Sequence, residues 1–380
     1  MDKQLIMPFH LFNHLGNNYL INIENMQACS VDEIIVKTIK LMDTEPISSI
    51  PPSIEATLKR LGLILEVKPD NRGNMEKAPI PIVRMALFLT QSCNLNCIYC
   101  YGDGGEYGTG GNLDMKTAFQ AVDWLIKQAG KMKKVHLGFF GGEPFLNFSL
   151  MKAIVKYAKK RAEETGKDVA FNAASNATLL DDEKISFIKE HSISIMISFD
   201  GPKELQDAQR PYTNGTGSYD STVPKIKRLL AAVPETPGHA VVVGDSDPQM
   251  VKNSLQQIGF KTVSISPVSQ SLFSGEHDNK KSTRHMEMHL QALEQEAATW
   301  LLSIKSEDTM ALKGLTARSE LFGIYRGMVS LLHNNKRKYF CGAGRGLVAV
   351  SISGDIYLCH RFVGKEEYKL GNVFVNNLSR

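Results

Sequence analysis

The sequence lacks a large excess of charge, a long apolar run and a secretion signal. Its 44 Lys and Arg residues face 40 Asp and Glu residues, which leaves a formal net charge of +4 over 380 residues. So small an excess, without a long basic block, argues against a nucleic-acid partner. No apolar run reaches the roughly 18 residues that a membrane-spanning helix needs, and the first residues lack the apolar core of a signal peptide. We therefore expect a cytoplasmic protein with no membrane partner.

Cysteine is also scarce, with six residues in the whole chain. In a large chain without a secretion signal, such cysteines do not predict a disulfide framework. The hydrophobic share of 43% is enough to bury a sizeable core and excludes a disordered chain. Three of the six cysteines, Cys93, Cys97 and Cys100, fall within eight consecutive residues. This cluster is the most informative feature of the sequence.

Residues 1–75 predict a small separate unit. Alternating apolar residues on both sides of Gly16 predict a β-hairpin, and helical spacing of apolar residues from Val31 predicts a helix. Ser53 is expected to cap a second helix, which is followed by a short strand. Together these elements predict a winged-helix-like module, and residues 76–83 read as a linker by composition.

From residue 84 to about residue 275, short apolar runs alternate with amphipathic stretches. Six strand candidates with helices between them predict an α/β fold of parallel strands joined by right-handed crossovers. No Gly-x-Gly-x-x-Gly motif follows the first strand, so we expect a barrel or partial barrel of six units. Residues 276–340 are predicted to be mostly helical, and residues 341–380 are glycine-rich and strand-like.

Cys93, Cys97 and Cys100 directly follow the first strand of this region. In barrels of parallel β/α units, active sites form at the C-terminal ends of the strands. Three thiolates at this spacing can hold a metal or an iron–sulfur cluster, whereas a tetrahedral zinc ion needs a fourth ligand that is absent nearby. A cluster with three cysteine ligands leaves one iron open. The alternative is three buried structural cysteines.

The segment resembles the radical SAM superfamily, whose hallmark is Cys-x3-Cys-x-aromatic-Cys, here completed by Tyr99. The resemblance implies a partial (β/α)6 TIM-like barrel in which the three cysteines hold a 4Fe–4S cluster. It implies that S-adenosylmethionine (SAM) binds the open iron and is cleaved to a 5′-deoxyadenosyl radical, with flavodoxin or ferredoxin as electron donor. It further implies that Tyr99 lies near the adenine.

Residues at successive strand ends extend the resemblance over about residues 84–268. Gly141-Gly142-Glu143-Pro144 follows the second strand and is similar to the family's GGEP segment. The two glycines let a ligand approach the backbone, and Glu143 offers an acceptor for the ammonium group of SAM. The resemblance also implies cofactor-binding roles for Asn176, Ser198 and Arg210, the last at the SAM carboxylate. Each of these three is alternatively an ordinary turn or cap residue.

Cys341 and Cys359 open a second motif. Twelve residues separate Cys341 from Gly354, and four separate Gly354 from Cys359. This pattern resembles the start of the SPASM domain, which carries auxiliary 4Fe–4S clusters, but the further cysteines of that domain are absent. Three explanations stay open: the chain is part of a longer protein, it holds one auxiliary cluster with other ligands, or the two cysteines are vestigial. We expect the first, with both cysteines as cluster ligands.

The sequences around Cys341 and Cys359 resemble thioether-forming maturases, namely the six-cysteine peptide maturases and the quinohemoprotein amine dehydrogenase maturation protein. We therefore expect an enzyme that forms thioether crosslinks in a ribosomal precursor peptide. The leader of that peptide is expected to bind an open sheet edge of residues 1–75. An anaerobic sulfatase-maturing enzyme is the first alternative. A non-catalytic iron–sulfur electron carrier or peptide-binding chaperone is the second, and no catalytic acid or base is identifiable.

Overall fold

The computed structural model describes residues 4–6, 8–14, 16–41, 50–66, 80–244, 246–268 and 341–375. These residues form two compact units, one before residue 79 and one after it. Residues 76–79 of the predicted linker at residues 76–83 lie outside the described ranges, and the predicted helical segment at 276–340 lies wholly outside them. Within these ranges, no helix is long and apolar enough to cross a membrane.

The first unit contains five short strands and two helices. In chain order they are β1 (Gln4–Ile6), β2 (Phe9–His14), β3 (Asn17–Asn22), β4 (Gln27–Val31), α1 (Glu33–Leu41), α2 (Pro52–Arg60) and β5 (Ile64–Glu66). Strands β2, β3 and β4 form an antiparallel sheet, and β1 pairs with β5. The predicted hairpin is confirmed, because β2 and β3 are joined at Gly16, whose φ of 80° suits a tight turn.

Two details of the first unit differ from the sequence predictions. Ser53 is not a cap: the N-cap of α2 is Pro51, followed by Pro52, and the fixed φ of proline suits the first turn of a helix. Strand β4 was not predicted, because its sequence QACSV carries no clear alternation of apolar and polar residues. Helix α1 instead begins as expected, and Asp32 accepts a hydrogen bond of 2.8 Å from the backbone N–H of Ile35.

The second unit is built on one large sheet with helices between its parallel strands. Its elements up to residue 268 are β6 (Arg84–Gln91), β7 (Gly111–Asn112), α3 (Met115–Gln128), β8 (Lys134–Gly141), α4 (Phe148–Glu164), β9 (Asp168–Ser175), α5 (Asp182–Glu190), β10 (Ser194–Ser198), α6 (Lys203–Gln209), α7 (Tyr219–Ala232), β11 (Gly238–Val242), α8 (Pro248–Ile258) and β12 (Val263–Pro267). Strands β6, β8, β9, β10, β11 and β12 are neighbours in that order, and every pair is parallel. The six predicted parallel β/α units are therefore confirmed.

The core of this unit lies between the sheet and its helices. Leu87 of β6, Leu137 of β8 and Ile197 of β10 are completely buried, and they belong to one cluster with Leu125 of α3 and Ile154 of α4. Apolar strands of this kind fit a parallel sheet that is covered by helices. Polar side chains are consequently concentrated at the strand ends, where the cysteine-containing loop also begins.

The C-terminal segment continues the same sheet on the other side of β6. It contributes β13 (Leu347–Val350), β14 (Asp355–Tyr357) and β15 (Lys369–Asn372). Strand β13 runs parallel to β6, and β14 and β15 follow antiparallel. The sequence predicts the strand character of this segment but not its pairing with β6, because that contact joins residues far apart in the chain. The segment thus lies next to the loop that carries the three cysteines.

Candidate functional site

The loop that follows β6 is held by the segment that follows α6. The backbone N–H of Asn96 donates to the carbonyl of Pro211 at 2.8 Å, and that of Ile98 donates to the carbonyl of Gln209 at 3.0 Å. Leu95 and Tyr212 also form an isolated β-bridge. The loop therefore has a defined shape although it carries no regular secondary structure.

The three clustered cysteines line one cavity of about 410 Å³ at the C-terminal ends of the parallel strands. Cys93 Sγ accepts from the backbone N–H of Leu95 at 3.5 Å and from Asn176 Nδ2 at 3.7 Å. Arg210 Nη1 lies 4.0 Å from Cys97 Sγ. Hydrogen bonds to thiolate sulfurs stabilise them as ligands and influence the reduction potential of a cluster.

Burial keeps the thiols of Cys93 and Cys97 protonated in the absence of metal. The pKa of Cys93 is raised to about 12, mainly by burial, with smaller contributions from the nearby Glu143, Cys97 and Cys100. The pKa of Cys97 is also raised by burial, while Arg210 lowers it. Metal binding displaces such protons, so the affinity of this site for metal depends on pH.

The donor set fits an iron–sulfur cluster. Over the parts of the chain that the structure describes, no three His, Cys, Asp or Glu side chains converge on a single metal ion. A 4Fe–4S cluster does not require three side chains to converge on one metal ion, because each thiolate binds a different iron. Cys93, Cys97 and Cys100 share one cavity wall, and two of their sulfurs face N–H donors.

The glycine pair after β8 brings two backbones into contact. A Cβ atom on Gly142 would lie 2.0 Å from the carbonyl oxygen of Ser92, and one on Gly141 would lie 2.0 Å from that of Thr90. Gly141 also has a φ of 131°, which favours glycine. Both glycines line the cavity. They are therefore needed for close packing of the β8 end against the cysteine loop.

Glu143 has a different environment from the one that the sequence predicts. Its side chain is completely buried, and it is not among the residues that line the cavity. Its carboxylate accepts hydrogen bonds from the hydroxyl of Ser175 at 2.9 Å and from the backbone N–H groups of Asn176 at 2.8 Å and Phe145 at 3.2 Å. Burial raises the pKa of Glu143 to about 7, against the lowering effect of these donors. Three groups of the chain thus donate to this carboxylate, and its contact with the SAM ammonium stays a prediction.

Asn176 and Ser198 both line the cavity, as predicted for residues at strand ends. The Asn176 side chain donates to Asn94 Oδ1 at 3.0 Å as well as to Cys93, and its own Oδ1 accepts from Thr178. It therefore ties the end of β9 to the cysteine loop. A direct contact of Asn176 or Ser198 with SAM stays a prediction.

Tyr99 and Arg210 line the cavity and meet at one buried carboxylate, Asp200. The Tyr99 hydroxyl donates to Asp200 Oδ2, and the guanidinium of Arg210 lies 5.3 Å from the centre of the Tyr99 ring. Arg210 Nε lies 3.0 Å from the same oxygen, off the direction of a hydrogen bond, and has no hydrogen-bond acceptor among the described residues. Arg210 is thus a buried cation that is ion-paired with Asp200 and lines the cavity, and a cation at this position fits the carboxylate of SAM.

Residues of the C-terminal segment complete the cavity wall. His360 packs against Phe140 at 4.7 Å between ring centres, and the guanidinium of Arg361 lies 5.1 Å from the Tyr101 ring. Burial lowers the pKa of His360 to about 4, so its imidazole is neutral at pH 7. Sequence reasoning missed both His360 and Arg361 as cavity residues, although both follow Cys359 directly in the sequence.

Two further cavity residues were also missed. His239, on β11, and Ser266, on β12, both line the cavity, and His239 Nε2 lies 3.2 Å from Ser266 Oγ. Burial lowers the pKa of His239. Ser266 lies near the C-terminal end of β12, which was the available signal, whereas His239 is the second residue of β11 and carried no such signal.

Cys341 and Cys359 differ from the three clustered cysteines in their exposure and in the residues around them. Cys341 is exposed and Cys359 is buried. Burial is the main reason that the pKa of Cys359 is raised, and the nearby Cys341 thiol raises it further. The role of the two thiols as ligands of an auxiliary cluster stays a prediction.

Comparison with known sequences identifies the central part of the chain. Residues 87–258 match the model of the Radical SAM superfamily. An uncharacterised protein of Methanocaldococcus jannaschii is 38% identical over 134 residues, which are 35% of this chain and 44% of that protein. A cysteine-type anaerobic sulfatase-maturating enzyme of Clostridium novyi is 26% identical over 147 residues, which are 37% of this chain and 38% of that enzyme. Each match spans less than half of the relative.

Solved structures share the fold. The structure of native anSMEcpe with bound AdoMet has a TM-score of 0.62 at 17% identity, covering 76% of this chain and 78% of that one. Streptococcus suis SuiB bound to the precursor peptide SuiA has a TM-score of 0.52 at 14% identity, covering 99% of this chain and 87% of that one. At these identities the likeness shows the fold alone.

The matched segment contains the three clustered cysteines, the glycine pair and the buried Asp200–Arg210 pair. It contains five of the six parallel strands, the sixth, β12, follows it directly, and the cavity lies at the C-terminal ends of these strands, as the resemblance implies. Residues 87–258 therefore form a radical SAM domain, an α/β partial barrel that binds a 4Fe–4S cluster and S-adenosylmethionine.

Proposed function

We propose that this chain is a peptide-modifying radical SAM enzyme that forms thioether crosslinks in a ribosomal precursor peptide. The observation that carries the proposal is the cavity that Cys93, Cys97 and Cys100 line together with Arg210, a buried cation that is ion-paired with Asp200. When bound, the cluster and SAM supply the one-electron cleavage that yields methionine and a 5′-deoxyadenosyl radical. The chain itself holds the cluster, orients SAM and encloses the reacting carbon.

Each of these tasks has residues suited to it. The three cysteines are the cluster ligands, and Arg210 is oriented for the SAM carboxylate. Tyr99 supplies an aromatic ring beside that guanidinium, 5.3 Å from it, as a contact for the adenine. His360, from the C-terminal segment, forms part of the wall that keeps water from the reacting carbon.

A peptide substrate is supported by two kinds of observation. The first unit has two outer strands, β2 and β4, each paired on one side only among the described residues. Such an edge can bind an extended leader by strand addition. Similar proteins act on polypeptides, as the names of the sulfatase-maturating enzyme and of the SuiB–SuiA complex state.

The proposed organisation follows from these assignments. Residues 1–75 recognise the leader, residues 76–83 form a linker, and residues 84–275 form the radical SAM partial barrel. Residues 341–380 belong to a SPASM auxiliary-cluster domain whose ligands include Cys341 and Cys359.

An anaerobic sulfatase-maturing activity is the second candidate, favoured by the 26% identity to the Clostridium novyi enzyme over 147 residues. The two activities leave different products. A thioether retains the cysteine sulfur in a crosslink that no longer reacts with iodoacetamide. Sulfatase maturation instead leaves an aldehyde that reacts with hydrazides. Mass spectrometry of a cysteine-containing substrate after both reagents therefore separates the two.

The proposed leader recognition is tested by deleting residues 1–75. We expect unproductive SAM cleavage to continue, because the cavity belongs to the second unit. Modification of a full-length precursor should fall sharply, since binding energy remote from the reacting carbon is lost. A leader-free core peptide serves as the control and should lose less. Equal modification of the full-length precursor by both proteins would refute the leader-binding role.

A further inference from the structure

Asp200 is a carboxylate with several partners beside the cavity, yet it does not line the cavity. It lies two residues after the end of β10 and is completely buried. Its Oδ1 accepts the backbone N–H of Val241 at 3.0 Å. Its Oδ2 accepts from the hydroxyl of Tyr99 and, at 3.4 Å, from Gln209 Nε2.

The same oxygen faces Arg210. The Nε atom of Arg210 lies 3.0 Å from Asp200 Oδ2, and the side chains of the two residues are 8% and 0% exposed, respectively. A buried cation without a counter-charge is strongly unfavourable, so the carboxylate keeps Arg210 at this position. The other end of the guanidinium, Nη1, extends to within 4.0 Å of Cys97 Sγ.

The carboxylate thereby joins three separate chain segments. Tyr99 belongs to the cysteine loop, Arg210 follows α6, and Val241 belongs to β11. The backbone N–H of Asp200 is itself fixed, because it donates to Gln206 Oε1 at 2.8 Å. A carboxylate whose two oxygens are both hydrogen-bonded leaves its donors little freedom to move.

We propose that Asp200 is a positioning residue that holds Tyr99 and Arg210 in the orientations from which they bind SAM. Tyr99 and Arg210 line the cavity and contact the cofactor, whereas Asp200 acts only through them. This deepens the proposed function at the same site and rests on it.

The chain contains a matched control. Asp123 on α3 accepts from the hydroxyl of Tyr157 at 2.8 Å and from Arg161 Nε at 2.7 Å, and it does not line the cavity. It forms a second Tyr–Asp–Arg group of the same composition. Asp123→Asn therefore removes a comparable carboxylate without touching the SAM site.

The test measures SAM binding to the anaerobically reconstituted full chain, by equilibrium dialysis and by the change that SAM causes in the EPR spectrum of the reduced cluster. Asp200→Asn should weaken SAM binding by about tenfold or more, the scale of one hydrogen bond to a charged group. Asp123→Asn should leave the dissociation constant within about twofold of the wild-type value, because distant sites act independently.

Tyr99→Phe keeps the ring, removes only the hydroxyl, and remains informative if Asp200→Asn does not fold. We expect it alone to weaken SAM binding and broaden the SAM-dependent EPR signal. In the double variant, Tyr99→Phe should weaken SAM binding by less than about twofold beyond Asp200→Asn alone, because the hydroxyl acts through that carboxylate.

Three results are distinguishable. Wild-type protein that assembles its cluster but binds no SAM would overturn the proposed function together with this role. Wild-type binding with an unchanged dissociation constant in folded Asp200→Asn, or in Tyr99→Phe, would overturn the positioning role alone. Effects of the two substitutions that multiply in the double variant would show that Tyr99 acts independently of Asp200, which also contradicts the proposal.

Discussion

The carboxylates of Glu143 and Asp200 do not line the cavity, but they fix the positions of polar groups around it. Glu143 receives a hydroxyl and two backbone N–H groups, and Asp200 receives the Tyr99 hydroxyl and a backbone N–H and faces Arg210. Both are completely buried. Buried charged acceptors are stable only when they are well supplied with donors, so the two residues fix the strand ends around them.

Glu143→Gln tests this view at the scale of one residue. The substitution replaces a carboxylate oxygen with an NH2 group that faces donors, so a buried N–H is left without an acceptor. We expect the free energy of unfolding to fall by about 1–3 kcal/mol, measured by denaturant titration. Glu163→Gln, at an exposed position on α4, is the control and should change little. A Glu143→Gln protein as stable as the wild type would contradict the assigned hydrogen bonds.

Individual residues were predictable from sequence to different extents. The three cysteines and Tyr99 form a local pattern, so their shared location on one loop followed from spacing alone. Asp200 was not identified, because its partner Tyr99 lies 101 positions away in the chain. Glu143 was identified as functional, but its burial depends on how β8 and β9 pack and is not encoded in the glycine-rich motif itself.

The end of β8 packs closely against the cysteine loop. The backbones of Gly142 and Ser92 approach so closely that no side chain fits between them. The position of Cys93 therefore depends on a contact with the next strand of the sheet. This makes the glycine pair a structural requirement of the loop, in addition to its place in the cavity wall.

Gly142→Ala should disturb this contact. The added Cβ would lie 2.0 Å from the Ser92 carbonyl oxygen, and overpacking of this kind costs about 1–3 kcal/mol. We expect lower stability and less iron bound per chain after anaerobic reconstitution. Gly346→Ala is the matched control, because the nearest atom to its added Cβ is 3.9 Å away. Full iron content in Gly142→Ala would show that the loop does not depend on this contact.

The elements that sequence predicted correctly have strong local signals. The six parallel strands are short apolar runs, and α3, α4, α5, α7 and α8 show helical apolar periodicity. Asp114 and Asp181 cap α3 and α5 through their side chains. Helix α6 was missed because it is a short polar segment. The pairing of β13 with β6 was missed because strand partners are not encoded in the periodicity of either strand.

At the scale of the whole chain, the C-terminal segment is part of the radical SAM unit and not an appendage to it. Strand β13 is buried beside β6, and residues of the segment reach the cavity wall. The cavity wall is therefore formed by two parts of the chain that are far apart in sequence. Any change in the packing of β13 is expected to act on the stability of the whole unit.

Val348→Ala tests this expectation. Val348 is completely buried on β13, opposite Met85 of β6. Loss of its buried methyl groups should lower the free energy of unfolding of the second unit by about 1.5–3 kcal/mol. Val375→Ala, at a position that is 57% exposed in the same segment, should have little effect. If both variants unfold like the wild type, β13 is not part of the core.

The most direct test of the account is SAM cleavage by a triple variant in which Cys93, Cys97 and Cys100 are all replaced by Ala. Wild-type protein and the variant are reconstituted with iron and sulfide without oxygen, reduced with dithionite and given SAM. Cys29→Ala is the control, because Cys29 is a free cysteine of the first unit. We predict that wild type and Cys29→Ala produce 5′-deoxyadenosine and that the folded triple variant produces none. Formation of 5′-deoxyadenosine by the triple variant, or its absence from the cluster-loaded wild type, would contradict the account.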